Sequence, residues 1–322
     1  MIFRKVGIAL TDRCTASCAM CCFRCSPGNK QVLSRDTVFD IIRQAEDIPE
    51  ITSVGLSGGE AMLYPGLVLD SVREIKRANM RASLTSNGFW ASDEKAAADT
   101  LCALKDAGLD SLSVSVDAYH IEYVPLDRIR HILRLCRTVN LPLSLAVGDT
   151  LKGTRAADII KALDRDIYNT QVTVYPFYPI GAGQDLANEA FAATPFSDDW
   201  KCPFQGDLLV FADGTVYPCC SQAVYQSHLS NGSIYTDSLR ELMDSYERYC
   251  LFAGLRRMGF GRLMQIAKQA GMELPDAFVS PCHLCNVLFS SADFCRAVRP
   301  HMEKEYAAVV RAALGLAAER VK

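Results

Sequence analysis

Val6-Gly7-Ile8-Ala9-Leu10-Thr11-Asp12-Arg13-Cys14-Thr15-Ala16-Ser17-Cys18-Ala19-Met20-Cys21 joins an apolar run to three cysteines spaced C-x3-C-x2-C. The run reads as a strand, and the cysteines as the loop that follows it. Three thiolates hold three irons of a [4Fe–4S] cube and leave the fourth without a protein ligand. A small molecule can bind and react at such an open iron. The competing reading is zinc, whose structural sites take four tight ligands, commonly from C-x2-C knuckles. Unequal gaps within one loop suit zinc poorly. Cys22 adjoins Cys21 and is expected to point elsewhere, whereas Cys25 stays open as a fourth ligand.

Outward from this loop, strand-like and helix-like segments alternate. Strands are expected at 5–10, 53–57, 81–86, 111–115, 143–147 and 171–175. Helices are expected from the N-cap Ser34 to about 47, then near 66–78, 92–107, 126–139 and 155–163. Six βα repeats predict a parallel sheet, and an open barrel of this kind presents its loops and reactive groups at the C-terminal strand ends. After about residue 177 the pattern changes. A hairpin is expected from 208–211 and 215–218, turning at Ala212-Asp213-Gly214. Helices follow near 238–258 and 261–270, then a cysteine-bearing loop at 280–286 and a last helix near 302–319. The expected division is 1–185 and 186–322.

At 322 residues and 49% apolar content the chain can bury a full core. A net charge of −3 gives no reason to expect nucleic acid or an anionic membrane as partner. There is no signal-peptide pattern and no apolar run long enough to span a bilayer, so a cytoplasmic protein is expected. Fourteen cysteines suit a disulfide scaffold less than metal binding here, because they cluster at 14–25, 202–220 and 282–295. Cys102, Cys136 and Cys250 stand alone and are expected to pack as small hydrophobes.

Leu56-Ser57-Gly58-Gly59-Glu60 follows the second expected strand. With the cysteine loop after strand one, this arrangement resembles the radical S-adenosylmethionine (SAM) enzymes. The resemblance implies that Gly58, Gly59 and Glu60 bind the methionine amino group of SAM, the glycines admitting a close backbone and Glu60 meeting the positive amine. It implies SAM contacts for Ser86 and Asn87 after strand three, Ser115 and Asp117 after strand four, and the stretch 178–183 after strand six. It also implies that SAM chelates the open iron and is split to a 5′-deoxyadenosyl radical, which takes hydrogen from a C–H bond.

Cys202, Cys219, Cys282 and Cys285 resemble an auxiliary-cluster module and make one complete four-thiolate site. A four-cysteine zinc site is the alternative. Cys295 is spaced differently and reads as structural. Cys220 follows Cys219, and adjacent side chains in extended chain point to opposite sides. If Cys219 faces the cluster, Cys220 faces away, towards the barrel mouth, as a hydrogen donor or as a spare packed thiol.

Four stretches carry a narrower resemblance: Cys21-Cys22-Phe23-Arg24-Cys25-Ser26-Pro27, Ser86-Asn87-Gly88-Phe89-Trp90, Tyr217-Pro218-Cys219-Cys220-Ser221 and residues 282–289. Together they resemble radical SAM epipeptide epimerases across nearly the whole chain. That resemblance implies an α/β chain with a partial (β/α)6 TIM-like radical SAM barrel and a C-terminal α+β auxiliary (SPASM/twitch-like) cluster domain. Implied cofactors are SAM and two [4Fe–4S] clusters, one SAM-binding and one auxiliary. Implied partners are a ribosomally synthesised precursor peptide and an electron donor such as flavodoxin or ferredoxin. Cys220 takes the place of the hydrogen donor, and Asp207 that of an aspartate that affects the outcome. No leader-binding domain is expected ahead of the first strand, so recognition is expected at the barrel mouth.

The expected reaction converts L-residues to D-residues: hydrogen leaves Cα on one face and Cys220 returns hydrogen on the other. The rival within the class is a maturase forming thioether or carbon–carbon crosslinks, which needs no donor thiol. A non-catalytic iron–sulfur or zinc-binding protein would have no use for Gly58-Gly59-Glu60. His120 reads either as a channel residue or as a hydrogen-bonded loop residue. The basic residues from 256 to 268 read as a solvated helix face.

Overall fold

The computed structural model describes residues 3–203, 206–230, 232–248 and 251–315. Its first half is five βα repeats and a sixth strand: β1 (Lys5–Ala9), α1 (Arg35–Glu46), β2 (Ser53–Ser57), α2 (Pro65–Arg77), β3 (Arg81–Ser86), α3 (Glu94–Asp106), β4 (Ser111–Ser115), α4 (Leu126–Thr138), β5 (Leu143–Asp149), α5 (Ala156–Leu163) and β6 (Gln171–Pro176). Neighbouring strands pair in parallel from β1 to β6. The residue pattern explains the shape. Val6, Ile8, Val54, Leu56, Ala82, Leu84, Leu112 and Val114 are buried on one face; a branched side chain buried there contributes about 2 kcal/mol. On the other face the register row Gly7, Gly55, Ser83, Ser111 crosses four strands. Side chains this small leave the concave side hollow.

The helices close the convex face. Ser34 caps α1, its hydroxyl accepting from the Thr37 N–H, and Val38, Ile41, Ile42 and Ala45 form the buried stripe. In α4 the same spacing buries Ile129, Ile132, Leu133 and Cys136. Cys136 therefore packs as expected. Cys102 does not: it is exposed, because α3 buries Ala97, Leu101 and Leu104 and the residue after Leu101 turns about 100° away. Cys250 lies outside the described residues.

The sheet continues beyond residue 185. After β7 (Thr194–Pro195), strand β8 (Asp207–Val210) pairs in parallel with β1, and β9 (Val216–Tyr217) returns antiparallel to β8. The expected hairpin is thus present, but it extends the barrel sheet, giving the order β6-β5-β4-β3-β2-β1-β8-β9. Then come α6 (Leu239–Arg248), α7 (Leu251–Gln269), β10 (Ala277–Phe278), α8 (Pro281–Phe289) and α9 (Ala292–Ala313). The break in α7 falls at Gly259, with φ of 70°, between the two helices expected from sequence.

Two expectations are corrected. Residues 280–286 are not a loop. Ser280 caps α8, accepting from the Cys282 and His283 N–H groups, with Pro281 in the first turn. The last helix begins ten residues before 302: Ser291 caps it, and Pro300 lies inside it instead of ahead of it. The expected end at 319 lies outside the described residues.

Asp149 ties the end of β5 to the start of α5. Its carboxylate accepts from Arg155 Nε at 2.9 Å, Arg155 Nη2 at 2.6 Å and the Ala156 N–H at 2.9 Å. The Arg155 bond holds its pKa down at about 2. A depressed folded pKa means that the stabilisation is complete above the unfolded value of about 4 and is lost as pH falls through 2. Solvent screens this half-exposed pair. Asp149→Asn should lower the thermal midpoint at pH 7 by about 1–2 °C, and the two midpoints should converge as pH falls from about 4 to 2. Equal midpoints at pH 7 would show that the tie contributes nothing.

Candidate active site

The hollow side of the sheet is a lumen of about 350 Å³. At the C-terminal end of β1, Cys14, Cys18 and Cys21 line it, with Gly58, Gly59, Ser86, Asn87 and Ser115 from the ends of β2, β3 and β4. The fold therefore gathers all three cysteines and five of the seven expected SAM contacts around one space.

Backbone contacts hold the cysteine loop in place. The Gly59 N–H donates to the Thr11 carbonyl at 2.6 Å and the Glu60 N–H to the Arg13 carbonyl at 2.8 Å. A Cβ on Gly58 would stand 2.6 Å from the Thr11 oxygen, and one on Gly59 would stand 2.3 Å from the Arg13 oxygen. The room these glycines leave is thus taken by the cysteine loop's own backbone. Gly181, after β6, does the same from the other side: its Cβ would fall 2.2 Å from the Cys22 oxygen, and the Ala182 N–H donates to the Cys21 carbonyl at 2.9 Å. Ala16, Cys18 and Met20 pack with Phe177 and Phe191 in a small second core.

The remaining two expected contacts stand behind the lining. Glu60 is 1% exposed. Its carboxylate accepts from the Met62 N–H at 2.9 Å, the Ser86 hydroxyl at 2.9 Å and the Asn87 N–H at 2.7 Å. Burial pushes its pKa up against these bonds. It is a strut between the ends of β2 and β3. Asp117 is 0% exposed. It accepts from the Tyr119 and His120 N–H groups at 3.0 Å each and pairs with His120 Nδ1 at 2.6 Å. His120, not Asp117, lines the lumen. Burial opposes charge on His120, but the Asp117 hydrogen bond and charge outweigh it and raise the imidazole pKa. His120 is thus a hydrogen-bonded loop residue whose side also lines the lumen. Asn87 reaches the cysteine loop, donating to Thr15 Oγ1 at 3.0 Å, with Cys14 Sγ at 3.8 Å.

A second cavity, of about 300 Å³, is ringed by Cys202, Cys219, Cys282 and Cys285. Leu229, Leu255 and Phe260 wall it, and among the described residues Asp207 is the one charged residue of its lining. Helix α8 explains half of the set, since Cys282 and Cys285 are three residues apart on one face. Cys295 is not in the lining; its thiol lies 3.8 Å from the Phe289 carbonyl.

The donor chemistry fits iron–sulfur clusters at both places. Cys14, Cys18 and Cys21 face the lumen, and Cys202, Cys219, Cys282 and Cys285 ring the second cavity, all-thiol sets of the kind that hold such clusters. Backbone N–H groups point at two of these sulfurs: Cys25 N–H to Cys21 Sγ at 3.4 Å and Ser221 N–H to Cys219 Sγ at 3.3 Å. Such bonds tune a cluster's potential. Cys25 also lines the lumen.

Cys220 joins the two spaces. Among the residues lining the two cavities it alone belongs to both. Its thiol donates to Asp207 Oδ2 at 2.9 Å. The hairpin register accounts for the pair: β9 runs back along β8, with Leu209 opposite Tyr217, so residues 219–220 arrive beside Asp207. Asp207 in turn pairs with Lys5, the first residue of β1. Cys220 therefore enters from the N-terminal strand ends and not at the mouth beside the cysteine loop. Four steps of β1 separate the two levels, about 13 Å. Desolvation, then the Asp207 hydrogen bond and charge, push the Cys220 thiol up to about 12.

Gly59→Ala should displace the Arg13 carbonyl and the loop behind it. Iron and sulfide content after anaerobic reconstitution should fall to the level of a variant with Cys14, Cys18 and Cys21 all changed to Ala. Wild-type content would show that the loop accommodates the methyl group.

Comparison with known proteins agrees with this geometry. The radical SAM superfamily pattern matches residues 8–154, and that of SPASM, an iron–sulfur cluster-binding domain, matches residues 202–270. The putative peptide biosynthesis protein YydG of Bacillus subtilis (strain 168) is 27% identical over 317 residues, covering 95% of this chain and 98% of that protein. The GTP 3′,8-cyclase of Limosilactobacillus fermentum is 34% identical over 123 residues, 36% of this chain and 34% of its own length. Native anSMEcpe with bound AdoMet superposes with a TM-score of 0.58 over 94% of this chain and 99% of that one. At 12% identity this last likeness speaks to the fold alone. The chain thus carries a radical SAM domain followed by a SPASM domain, and its cofactors are S-adenosylmethionine and two iron–sulfur clusters.

Proposed function

We propose that the protein is a peptide epimerase, inverting α-carbons from L to D in a ribosomally synthesised precursor peptide. The observation that carries this reading is the placement of Cys220. It stands at the end of the lumen opposite the cysteine loop, with its thiol held by Asp207. Likeness to YydG along its whole length supports a peptide as substrate.

Cys14, Cys18 and Cys21 would hold the first cluster, and Cys202, Cys219, Cys282 and Cys285 the second. When bound, SAM on the first cluster supplies a carbon-centred oxidant for C–H bonds, and the second cluster supplies one-electron redox chemistry. Gly58, Gly59, Ser86, Asn87 and Ser115 form the wall against which SAM would lie. The hollow row Gly7, Gly55, Ser83 gives an extended peptide room to pass. Once a Cα hydrogen has left towards the cysteine-loop end, the carbon flattens. Cys220 then breaks its S–H bond and forms the new Cα–H bond from the opposite face. Asp207 orients the thiol. One electron and one proton restore Cys220, the electron coming from a donor of the flavodoxin or ferredoxin class and the proton from solvent. In this reading the protein works in the cytoplasm, where thiols stay reduced.

Crosslinking requires no donor thiol, so Cys220 separates the two outcomes. Reconstituted enzyme, SAM, reductant and the short peptide encoded beside the gene should yield D-residues by chiral amino-acid analysis. In deuterated water each D-residue should carry one deuterium on Cα. Cys220→Ala should abolish inversion while release of 5′-deoxyadenosine persists. A product two hydrogens lighter, or D-residues from the Cys220→Ala variant, would overturn the assignment.

A further inference from the structure

We infer that Lys5 is a substrate-positioning residue: its ammonium takes a main-chain carbonyl oxygen of the peptide and turns the flattened α-carbon towards Cys220. The inference rests on the epimerase reading and concerns a residue that neither cluster nor SAM requires.

Lys5 opens β1 on its inward face and lines the lumen together with Gly7, Gly55, Ser83, Leu209 and Cys220. Its path is set by Gly55. A Cβ there would stand 3.2 Å from Lys5 Cε, 3.8 Å from Lys5 Nζ and 3.1 Å from Ser83 Oγ. The lysine side chain therefore lies across the glycine, inside the lumen. Among the described residues its ammonium has neither a hydrogen bond nor an ion pair. Asp207 is its partner in register, yet the Asp207 carboxylate turns to the Cys220 thiol. The charge of Lys5 still bears on that thiol.

An ammonium brings three donors. Water serves them in the open lumen, and a peptide entering that space displaces the water. A donor left without an acceptor is then costly, so the occupant must bring one. Every residue of a peptide brings a main-chain carbonyl. Asp207 already balances the positive charge of this corner, so a neutral acceptor is sufficient. The carbonyl carbon is bonded to Cα, and anchoring its oxygen fixes which face of the planar carbon meets Cys220.

The test measures binding apart from chemistry. The fluorescently labelled precursor peptide is titrated into reconstituted enzyme with SAM and no reductant. Lys5→Met should weaken its Kd about tenfold, Lys5→Arg should recover most of the loss, and the thermal midpoint should stay at the wild-type value. Gly55→Ala, which crowds Lys5 Cε and leaves the lysine in the chain, should weaken binding in the same direction. With reductant, Lys5→Met should form fewer D-residues per SAM cleaved. Unchanged Kd in both Lys5→Met and Gly55→Ala would overturn the inference. So would a loss reproduced by changing one acidic side chain of the peptide to its amide, with no further loss on combining the two changes, since the partner would then be that carboxylate. Wild-type enzyme that binds the peptide and forms no D-residue would sink the epimerase reading, while the Kd comparison would still judge Lys5.

Discussion

Everything in this molecule depends on a sheet whose concave face is built from residues too small to fill it. Val6, Ile8, Val54 and Leu56 secure one side of the strands. Gly7, Gly55, Ser83 and Ser111 leave the other side vacant. A closed (β/α)8 barrel packs its interior with branched side chains. Here the same pleat, with its period of two, encloses an open lumen. The convex face carries the stability, so the concave face is free for chemistry.

Reactive groups reach that space from both ends by different means. At the C-terminal strand ends, the cysteine loop is pressed between the glycines after β2 and Gly181 after β6, each donating its missing side chain to a backbone carbonyl. At the N-terminal ends, a hairpin from the following domain joins the sheet edge and carries Cys220 in beside Asp207. The edge of β1 is thereby paired as well, which removes an exposed set of backbone donors and acceptors. One addition to the sheet closes its edge and delivers the thiol.

The two buried acids show how the lumen wall is stiffened. Glu60 bonds the ends of β2 and β3 together, and Asp117 orients the ring of His120. Neither acid lines the cavity. Each fixes residues that do, so polar groups facing the lumen are positioned by charge–dipole contacts one layer back.

Sequence by itself determined the strand and helix order, the cysteine loop, the four-cysteine set and the adjacency of Cys219 and Cys220, because pleat period, helix period and ligand spacing are local properties. It misjudged 280–286, where a C-x2-C pair drew attention from the Ser280-Pro281 helix start, and it began the last helix ten residues late. It placed Glu60 and Asp117 at strand ends without their hydrogen-bond partners, because an acid after a strand looks the same whether it faces a cavity or a neighbouring loop. Only the tertiary structure decided that β8 and β9 extend the barrel sheet, that Cys220 enters from the end opposite the cysteine loop, and that Lys5 stands beside it. These are facts about residues some two hundred positions apart. No local pattern encodes them, because strand register across a domain boundary is settled when the sheet assembles.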